Sequence, residues 1–209
     1  MATPAALTTE GFEVQFASNY LGHAVLLRLL RPLMLRTAAA SANSDVRLVV
    51  LSSFGHTMHP PAGIDFDQLK VADAGTTYQR YGQSKLADIL LAKAMAKRYP
   101  AITSVSVHPG LVKTNLLEGA EPSTLTRSLG LMRWILPSSV FLSAEGGAHN
   151  TLWAATTPKA KLENGGYYEP VGKKAGKKTS LAGADEYCSE ERLAAVSYTH
   201  LTLPTKRIV

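Results

Sequence analysis

The sequence predicts an α/β fold with a parallel sheet, because helical and strand-like segments alternate along the chain. The segments with helical character are residues 9–40, 81–97 and 144–156. The segments with strand character are residues 46–53, 102–110 and 165–172. This order is the one that joins parallel strands by right-handed helical crossovers. The chain has 209 residues, of which 45% are hydrophobic, so we expect a single core of ordinary size.

The first two helices carry recognisable end signals. Thr8 and Thr9 can cap the first helix, and Pro32 predicts a bend within it. The apolar residues at helical spacing in this segment are Phe12, Phe16, Tyr20 and Leu27. In the second helix, basic residues suit the negative C-terminal end, and Pro100 follows as a stop. These signals predict helices in both segments.

The predicted strands are short and bounded by polar or turn-forming residues. VRLVVLSS at 46–53 is apolar and β-branched, which predicts a strand buried on both faces. ITSVSVHPG at 102–110 predicts a second buried strand that ends in a Pro-Gly turn. GGYYEPVG at 165–172 has the brevity and aromatic content of a third strand. Residues 54–77 are rich in Gly, Pro, His and Asp without a period, which predicts a loop.

Composition and charge argue against several classes of protein. The net charge of +6 comes partly from KKAGKK at 173–178. Aromatic residues do not interleave with these lysines, so we expect a solvated loop and no nucleic-acid binding. The single cysteine, Cys188, cannot form an internal disulfide, and the N-terminal residues lack the features of a signal peptide. We therefore expect a reducing, cytoplasmic location.

Membrane and metal sites are not expected either. The most apolar segment, residues 129–142, is too short for a membrane span and is interrupted by Arg133 and Pro137, so we expect no transmembrane segment. His56 and His59 stand three residues apart in the predicted loop, and no further ligand follows at a matching distance. The pattern favours an exposed pair of histidines and no metal site.

Reactive side chains cluster near the predicted strand ends, where parallel α/β sheets bind their ligands. Ser52 and Ser53 end the first strand, and only one of them can face a site because strand side chains alternate in direction. Tyr81 and Lys85 are four residues apart and share a helix face. A free tyrosine has a pKa of about 10, and a nearby positive charge favours its phenolate, so this pair can serve in acid–base chemistry. Tyr78 lacks such a lysine, which predicts a loop or pocket-wall role.

Four segments, in this order, resemble the short-chain dehydrogenase/reductase family. FASNYLGH resembles the family's helix with an Asn followed by Gly, and RLVVLSS its serine strand. YGQSK resembles its Tyr-x-x-x-Lys signature, and SVSVHPGLVKTNL its Pro-Gly segment with a following Thr. The resemblance covers about residues 5–195. The long loop containing IDFDQL resembles the retinol-dehydrogenase-like branch, whose members often take lipophilic carbonyls or alcohols.

The resemblance implies a role for each matching residue. Tyr81 would be the general acid/base, and Lys85 would make that phenol more acidic and contact the nicotinamide ribose. Ser53 would orient the substrate, and Asn19 would hold the water of a proton relay. The residues that would line the nicotinamide are Pro109, Gly110 and Thr114. The implied cofactor is NADP or NAD.

The N-terminal part of the family pattern has no counterpart in this sequence. The family begins with a strand and a glycine-rich phosphate turn, and no G-x-x-x-G-x-G segment is present here. The resemblance therefore implies a partial doubly wound parallel sheet, Rossmann-like and N-terminally truncated. Residues 1–195 would be the C-terminal catalytic part of one such domain, and residues 196–209 an unrelated or artefactual tail. We expect this chain to bind nicotinamide nucleotides poorly or not at all. The missing half of the sheet should also leave the strand Val46–Leu51 with an open edge and with apolar faces that lack their covering helices.

Two functional hypotheses remain open from the sequence. The first is an oxidoreductase that transfers hydride between a nicotinamide cofactor and a small-molecule carbonyl or secondary alcohol. The second is a non-catalytic fragment or an interaction protein that associates through its helices, with a homodimer as the expected form by analogy.

Overall fold

The computed structural model describes residue 1, residues 3–113 and residues 141–175 of the chain. Four strands in these residues form one sheet, in the order β1-β2-β3-β4. They are β1 (Arg47–Leu51), β2 (Thr103–Val107), β3 (Tyr167–Glu169) and β4 (Lys173–Lys174). The first three are parallel, and β4 runs antiparallel to β3. The predicted α/β fold with a parallel sheet is therefore confirmed.

The helices lie where the sequence places them, and the boundaries of the first two predicted helices have changed. They are α1 (Val14–Phe16), α2 (Gly22–Ala39), α3 (Thr77–Arg98) and α4 (Ala144–Thr156). A π-helical turn, Ala17–Leu21, joins α1 to α2. Short 3₁₀ turns cover Phe54–Met58, Phe66–Gln68 and Lys159–Lys161. No helix within the described residues is both long enough and apolar enough to cross a membrane.

The start of the first helix differs from the sequence prediction. Thr8 and Thr9 do not cap it; the Thr8 carbonyl instead accepts a bond from Gly11 N, which closes a turn. Glu13 is the residue that caps α1, and its carboxylate accepts a hydrogen bond of 2.7 Å from Phe16 N. A carboxylate suits the positive end of a helix, which explains the later start. Pro32 lies within α2, which runs through it.

Helix α3 begins one turn earlier than the sequence suggests. Thr76 and Gln79 form a capping box, in which each side chain accepts a bond from the other residue's backbone N–H. This box starts the helix at Thr77 and places Tyr81 in its second turn. Fifteen residues of α3 are buried, so this helix packs between the sheet and the N-terminal helices. The capping box therefore sets the position of the candidate acid–base residue.

Strand β1 is less covered than predicted. All five residues of β2 are buried, whereas β1 buries only Val50 and leaves Leu51 50% exposed. The reason is that β1 is an edge strand of the described sheet, while β2 lies between two neighbours. The apolar pattern alone predicted burial on both faces, which is correct for β2 and wrong for β1. The open edge expected from the missing half of the sheet agrees with the position of β1 in the described sheet.

The lysine-rich segment also differs from its prediction. Lys173 and Lys174 form β4, whose side chains are exposed, so the first part of KKAGKK is an edge strand instead of a loop. A short charged edge strand is a common way to protect a sheet edge. The segment 129–142 lies mostly outside the described residues, and Cys188 and residues 196–209 lie wholly outside them.

Candidate active site

The Tyr81 ring packs against the turn that follows β1. Tyr81 is 5% exposed, and a Cβ atom added to Gly55 would lie 2.5 Å from its Cε1 atom. Only a glycine leaves room for the ring at this position. One residue further along α3, a Cβ added to Gly82 would lie 2.6 Å from both Met58 C and His59 N. The helix backbone and the strand-end turn are therefore in direct contact around the phenol.

Lys85 lies at the carboxyl end of β1. Its Nζ atom donates to the Leu51 carbonyl at 3.0 Å and to Asp88 Oδ2 at 2.9 Å. The Lys85 carbonyl in turn accepts a bond of 2.7 Å from the Ser52 hydroxyl. These contacts join α3 to the strand end on both sides of the lysine. A direct approach of the ammonium to the Tyr81 phenol stays a prediction.

The two candidate serines have different partners. Ser52 is buried, and its hydroxyl donates to the helix backbone. Ser53 is partly exposed, and its Oγ accepts a 3.1 Å bond from Gly55 N, which leaves its hydroxyl hydrogen available for a ligand. The divergent surroundings agree with the expectation that only one serine can face a site. They favour Ser53 for that role.

Asn19 lies inside the π-helical turn. Its Nδ2 atom donates to Ser84 Oγ at 2.9 Å, and Ser84 Oγ donates to the Tyr81 carbonyl at 2.7 Å. The Asn19 carbonyl is 2.9 Å from Nδ1 of His23. Single π turns inside α-helices often occur at functional sites, because they change the hydrogen bonds of nearby carbonyls. Asn19 is thus connected to α3 between Tyr81 and Lys85.

The end of β2 contributes a histidine and a tight turn. His108 Nδ1 accepts a 3.3 Å bond from Phe54 N, so this ring nitrogen carries no proton. Burial, and then the nearby His56, lower the pKa of His108 to about 4. Gly110 has φ +92°, the left-handed region that favours glycine, so it allows the chain to turn after Pro109. Thr114 lies outside the described residues.

The expected exposed histidine pair is wrong for His56. This residue is 4% exposed, its Nδ1 is 2.7 Å from the Ser53 carbonyl, and its ring meets the edge of Tyr167 at 5.3 Å between centroids. The reason is that the Phe54–Met58 turn packs against α3. His59 is partly exposed, and its Nδ1 is 2.6 Å from the Pro60 carbonyl.

The sequence did not predict three residues that lie near the candidate active site. Asn150 on α4 donates to the carbonyls of His108 and Tyr168, at 2.8 and 3.0 Å. Among the described residues, the buried Tyr167 hydroxyl has no hydrogen-bond partner, and its pKa is raised by burial and then by the nearby Glu169. Asp88 forms an ion pair with Lys85. The sequence could have indicated this pair only through the spacing of the two residues, which are three apart on one helix. Asn150 and Tyr167 come from distant segments, which local patterns do not bring together.

Comparison with characterised proteins identifies relatives along most of the chain, although no protein-family model matches it. The chain is 36% identical over 197 residues to the short-chain dehydrogenase/reductase drtF of Aspergillus calidoustus. That match covers 87% of this chain and 60% of the relative. The chain is also 34% identical over 169 residues to human retinol dehydrogenase 14. This match covers 79% of the chain and 46% of the relative.

Solved structures agree on the fold. A crystal structure of an uncharacterized protein from Mycobacterium paratuberculosis superposes with a TM-score of 0.57 at 27% identity, covering 92% of this chain and 63% of that chain. The carbonyl reductase Sniffer of D. melanogaster superposes with a TM-score of 0.50 at 20% identity, covering 81% and 58%, which shows the shared fold alone. The chain spans about half to three fifths of the length of the curated relatives described above. Over most of its own length, the chain is therefore similar in sequence to curated short-chain dehydrogenase/reductases.

Proposed function

We propose that this chain carries the catalytic part of an oxidoreductase that transfers hydride between a nicotinamide cofactor and a carbonyl or secondary alcohol. The observation that carries the proposal is the position of the buried Tyr81 ring. It packs on the turn that follows β1. Lys85, on the same helix, donates to the Leu51 carbonyl at the end of β1, and Asn19 donates to Ser84 of that helix. Such a grouping can move a proton at a substrate oxygen while a hydride moves at the adjacent carbon.

The residues at the strand ends fit the nicotinamide-ribose end of such a cofactor. When bound, this group supplies or accepts the hydride. The Lys85 ammonium is a suitable donor to ribose hydroxyls, and the Pro109–Gly110 turn lies at the end of the neighbouring strand. We propose NADP or NAD as this cofactor.

Each side chain then has a distinct part in the reaction. The Tyr81 phenol donates a proton to the substrate oxygen during reduction and removes it during oxidation. The positive charge of Lys85 favours the phenolate that remains. The Ser53 hydroxyl donates a hydrogen bond to the same substrate oxygen and orients it. Asn19 holds the water through which the proton is replaced.

The substrate class is proposed from the relatives. Because one relative is named a retinol dehydrogenase, we expect a lipophilic carbonyl or alcohol as substrate. Another relative, short-chain dehydrogenase TIC 32 A of Brassica napus, is named chloroplastic, so relatives differ in compartment. A cytoplasmic location remains our proposal for this chain, from its single cysteine.

A second candidate function rests on the surface of α2. Four leucines on this helix are exposed: Leu26, Leu29, Leu30 and Leu33. An apolar helix face of this kind suits association with another helix, so a homodimer through α2 without catalysis is the alternative. Measuring the molar mass in solution before and after changing Leu29 and Leu33 to Lys tests this alternative. A dimer that becomes monomeric would support it.

The main test combines nucleotide binding with turnover. Because weak binding is expected, the 209-residue chain is titrated with NADPH and NADH up to millimolar concentration and assayed on lipophilic aldehydes. We expect Tyr81→Phe to abolish turnover while leaving nucleotide binding intact. Tyr78→Phe is the matched control, since it removes a buried phenol less than one turn away.

Two results would contradict the proposal. If Tyr81→Phe turned over substrate at a rate close to that of the unchanged chain, the role of this phenol would be wrong. If neither nucleotide bound at millimolar concentration, the chain would not act as an oxidoreductase, and association through α2 would become the favoured function.

A further inference from the structure

Asp88 is a buried carboxylate next to the candidate active site. It is 1% exposed, and it lies on the same helix as Lys85, three residues later. Its Oδ2 atom accepts the 2.9 Å bond from Lys85 Nζ, while its buried Oδ1 atom has no hydrogen-bond partner within the part of the chain that the structure describes. Buried carboxylate oxygens normally have partners, because an unpaired one costs about 1–3 kcal/mol or more. Such an arrangement calls for a functional explanation.

The position of the Lys85 ammonium is set by its hydrogen bonds. Nζ has two acceptors at hydrogen-bond distance, Asp88 Oδ2 and the Leu51 carbonyl, and both lie toward the end of β1. A lysine side chain has four rotatable bonds, so it needs such acceptors to keep one position. Tyr81 is seven residues from Asp88 on the same helix, which is about two turns or 10 Å along the axis. The carboxylate therefore acts on the phenol mainly through Lys85.

We propose that Asp88 is a positioning residue for the reaction described above: its carboxylate holds the Lys85 ammonium at the end of β1 and offsets part of its positive charge. If the Lys85 ammonium acts on the Tyr81 phenol as the proposed function requires, Asp88 then determines how strongly it does so. The proposal rests on the proposed function for its catalytic meaning. The pairing and its effect on the phenol can be measured without turnover.

The ionisation of Asp88 adds a pH dependence to this pairing. Burial raises the pKa of Asp88 to about 6, and the Lys85 charge opposes that rise. The charged and titratable groups that face the pair in the described residues are His23 on α2, which also acts on Asp88, and the amino group of Met1, which lies near Lys85. Below about pH 6 the carboxylate takes up a proton, and the Lys85 charge is no longer offset.

The first test measures the pairing itself. Asp88 is titrated by carbon-13 NMR of aspartate-labelled chain, with its signal assigned by loss in Asp88→Asn. If the Lys85 ammonium opposes the effect of burial, Lys85→Met should raise the Asp88 titration midpoint by about one pH unit or more. An unchanged midpoint would overturn the proposal. The midpoints are compared between the unchanged chain and Lys85→Met. The Asp88→Asn variant is used only to assign the signal.

The second test measures the effect on the phenol. The phenolate absorbance of Tyr81 is obtained as the difference between the chain and its Tyr81→Phe variant during an alkaline titration. In the Asp88→Asn background we expect this curve to move to lower pH by about half a unit, because the Lys85 charge is no longer offset. Asp73→Asn removes an exposed carboxylate and is the matched control that should leave the curve in place. A curve that does not move in Asp88→Asn would overturn the proposal.

The two proposals fail in different ways. If the chain shows no turnover but both titrations move as expected, the influence of Asp88 stands and the oxidoreductase activity does not. If the chain turns over substrate and its pH–rate profile is the same in Asp88→Asn as in the unchanged chain, the activity stands and Asp88 has no positioning role.

Discussion

A hydrogen bond at the end of β2 requires that one ring nitrogen of His108 carries no proton. Its Nδ1 atom accepts a bond from Phe54 N, which a protonated imidazole cannot do. The pKa of His108 is lowered to about 4 by burial and by His56. Because the folded-state pKa lies below that of the unfolded chain, about 6.5, the unfolded state takes up this proton first. The contribution of His108 to stability is therefore present above about pH 6.5 and is lost as the pH falls toward about 4.

His108→Gln should make the protein less sensitive to acid. Its side-chain oxygen can still accept from Phe54 N but does not titrate. The free energy of unfolding, measured by urea denaturation, should fall less between about pH 7 and about pH 5 than it does in the unchanged chain. Asp88 acts in the opposite direction in this range, because its pKa is raised, so the comparison must be between the variant and the unchanged chain. An equal loss in both chains would contradict the role of His108.

Gly82 is needed for contact between α3 and the strand-end turn. An added Cβ would lie 2.6 Å from two backbone atoms, Met58 C and His59 N, which cannot rotate away. Gly82→Ala should therefore lower the free energy of unfolding by about 1–3 kcal/mol. Gly22→Ala is the matched control, since its Cβ would lie 3.6 Å from the Ala17 carbonyl oxygen, an ordinary contact. In that helical position alanine should stabilise by about 0.5–1 kcal/mol. Equal effects of the two changes on urea denaturation would contradict this interpretation.

At the scale of elements, α3 carries Tyr81, Lys85 and Asp88 on one rigid support. Its start is set by the Thr76–Gln79 capping box, with Thr76 Oγ1 accepting from Gln79 N at 3.2 Å. Its first turns pack on the Phe54–Met58 turn, and its later turns on β1 and β2. The spacing of the three polar residues could be predicted from helical periodicity alone. The cap decides where along the helix they meet the strand ends.

Removing the cap should weaken the helix without touching the site directly. Thr76→Ala is expected to lower the free energy of unfolding by about 1 kcal/mol, because the N–H of Gln79 loses its acceptor. Thr76→Ser, which keeps the hydroxyl, should restore most of this loss. Thermal unfolding followed by circular dichroism measures both. If Ser and Ala destabilised the helix equally, the capping interaction would not be the cause.

At the scale of the whole molecule, a buried ion pair connects the N-terminal helices to α3. Glu13 Oε1 lies 3.5 Å from Arg80 Nε, and the two side chains are 1% and 3% exposed. The Arg80 guanidinium also donates to the Gly75 carbonyl at 2.9 Å, and the other Glu13 oxygen caps α1. This pair bridges elements far apart in sequence, on the side of α3 that also carries the bond between Asn19 and Ser84.

Breaking one side of this pair should be costly. Glu13→Gln keeps an acceptor for Phe16 N but leaves the Arg80 charge buried without its partner, so we expect a loss of about 3–5 kcal/mol in the free energy of unfolding. Combining it with Arg80→Met should recover part of that loss, because no buried charge remains. Urea denaturation of the four chains forms a double-mutant cycle. Additive effects would show that the two charges do not interact.

Much of this architecture could be predicted from the sequence. The alternation of apolar runs and helical periods predicted the parallel sheet, and the limits of α4 were predicted to the residue. The Tyr81–Lys85 spacing and the serines after β1 predicted which strand ends carry polar side chains. These features depend on residues close together in the chain, for which helical and strand periods determine direction. The resemblance to a known family rested on the same local segments.

Only the tertiary structure decided which distant residues meet. Burial of His56 and the bonds from Asn150 to the ends of β2 and β3 depend on packing between segments that no local period relates. The pairing of Lys85 with Asp88 and the β1 carbonyl is of the same kind, because a flexible lysine takes its position from whatever acceptors the fold brings near it. Sequence determined the elements and their reactive residues, and packing determined their partners, since burial and charge act through space and not along the chain.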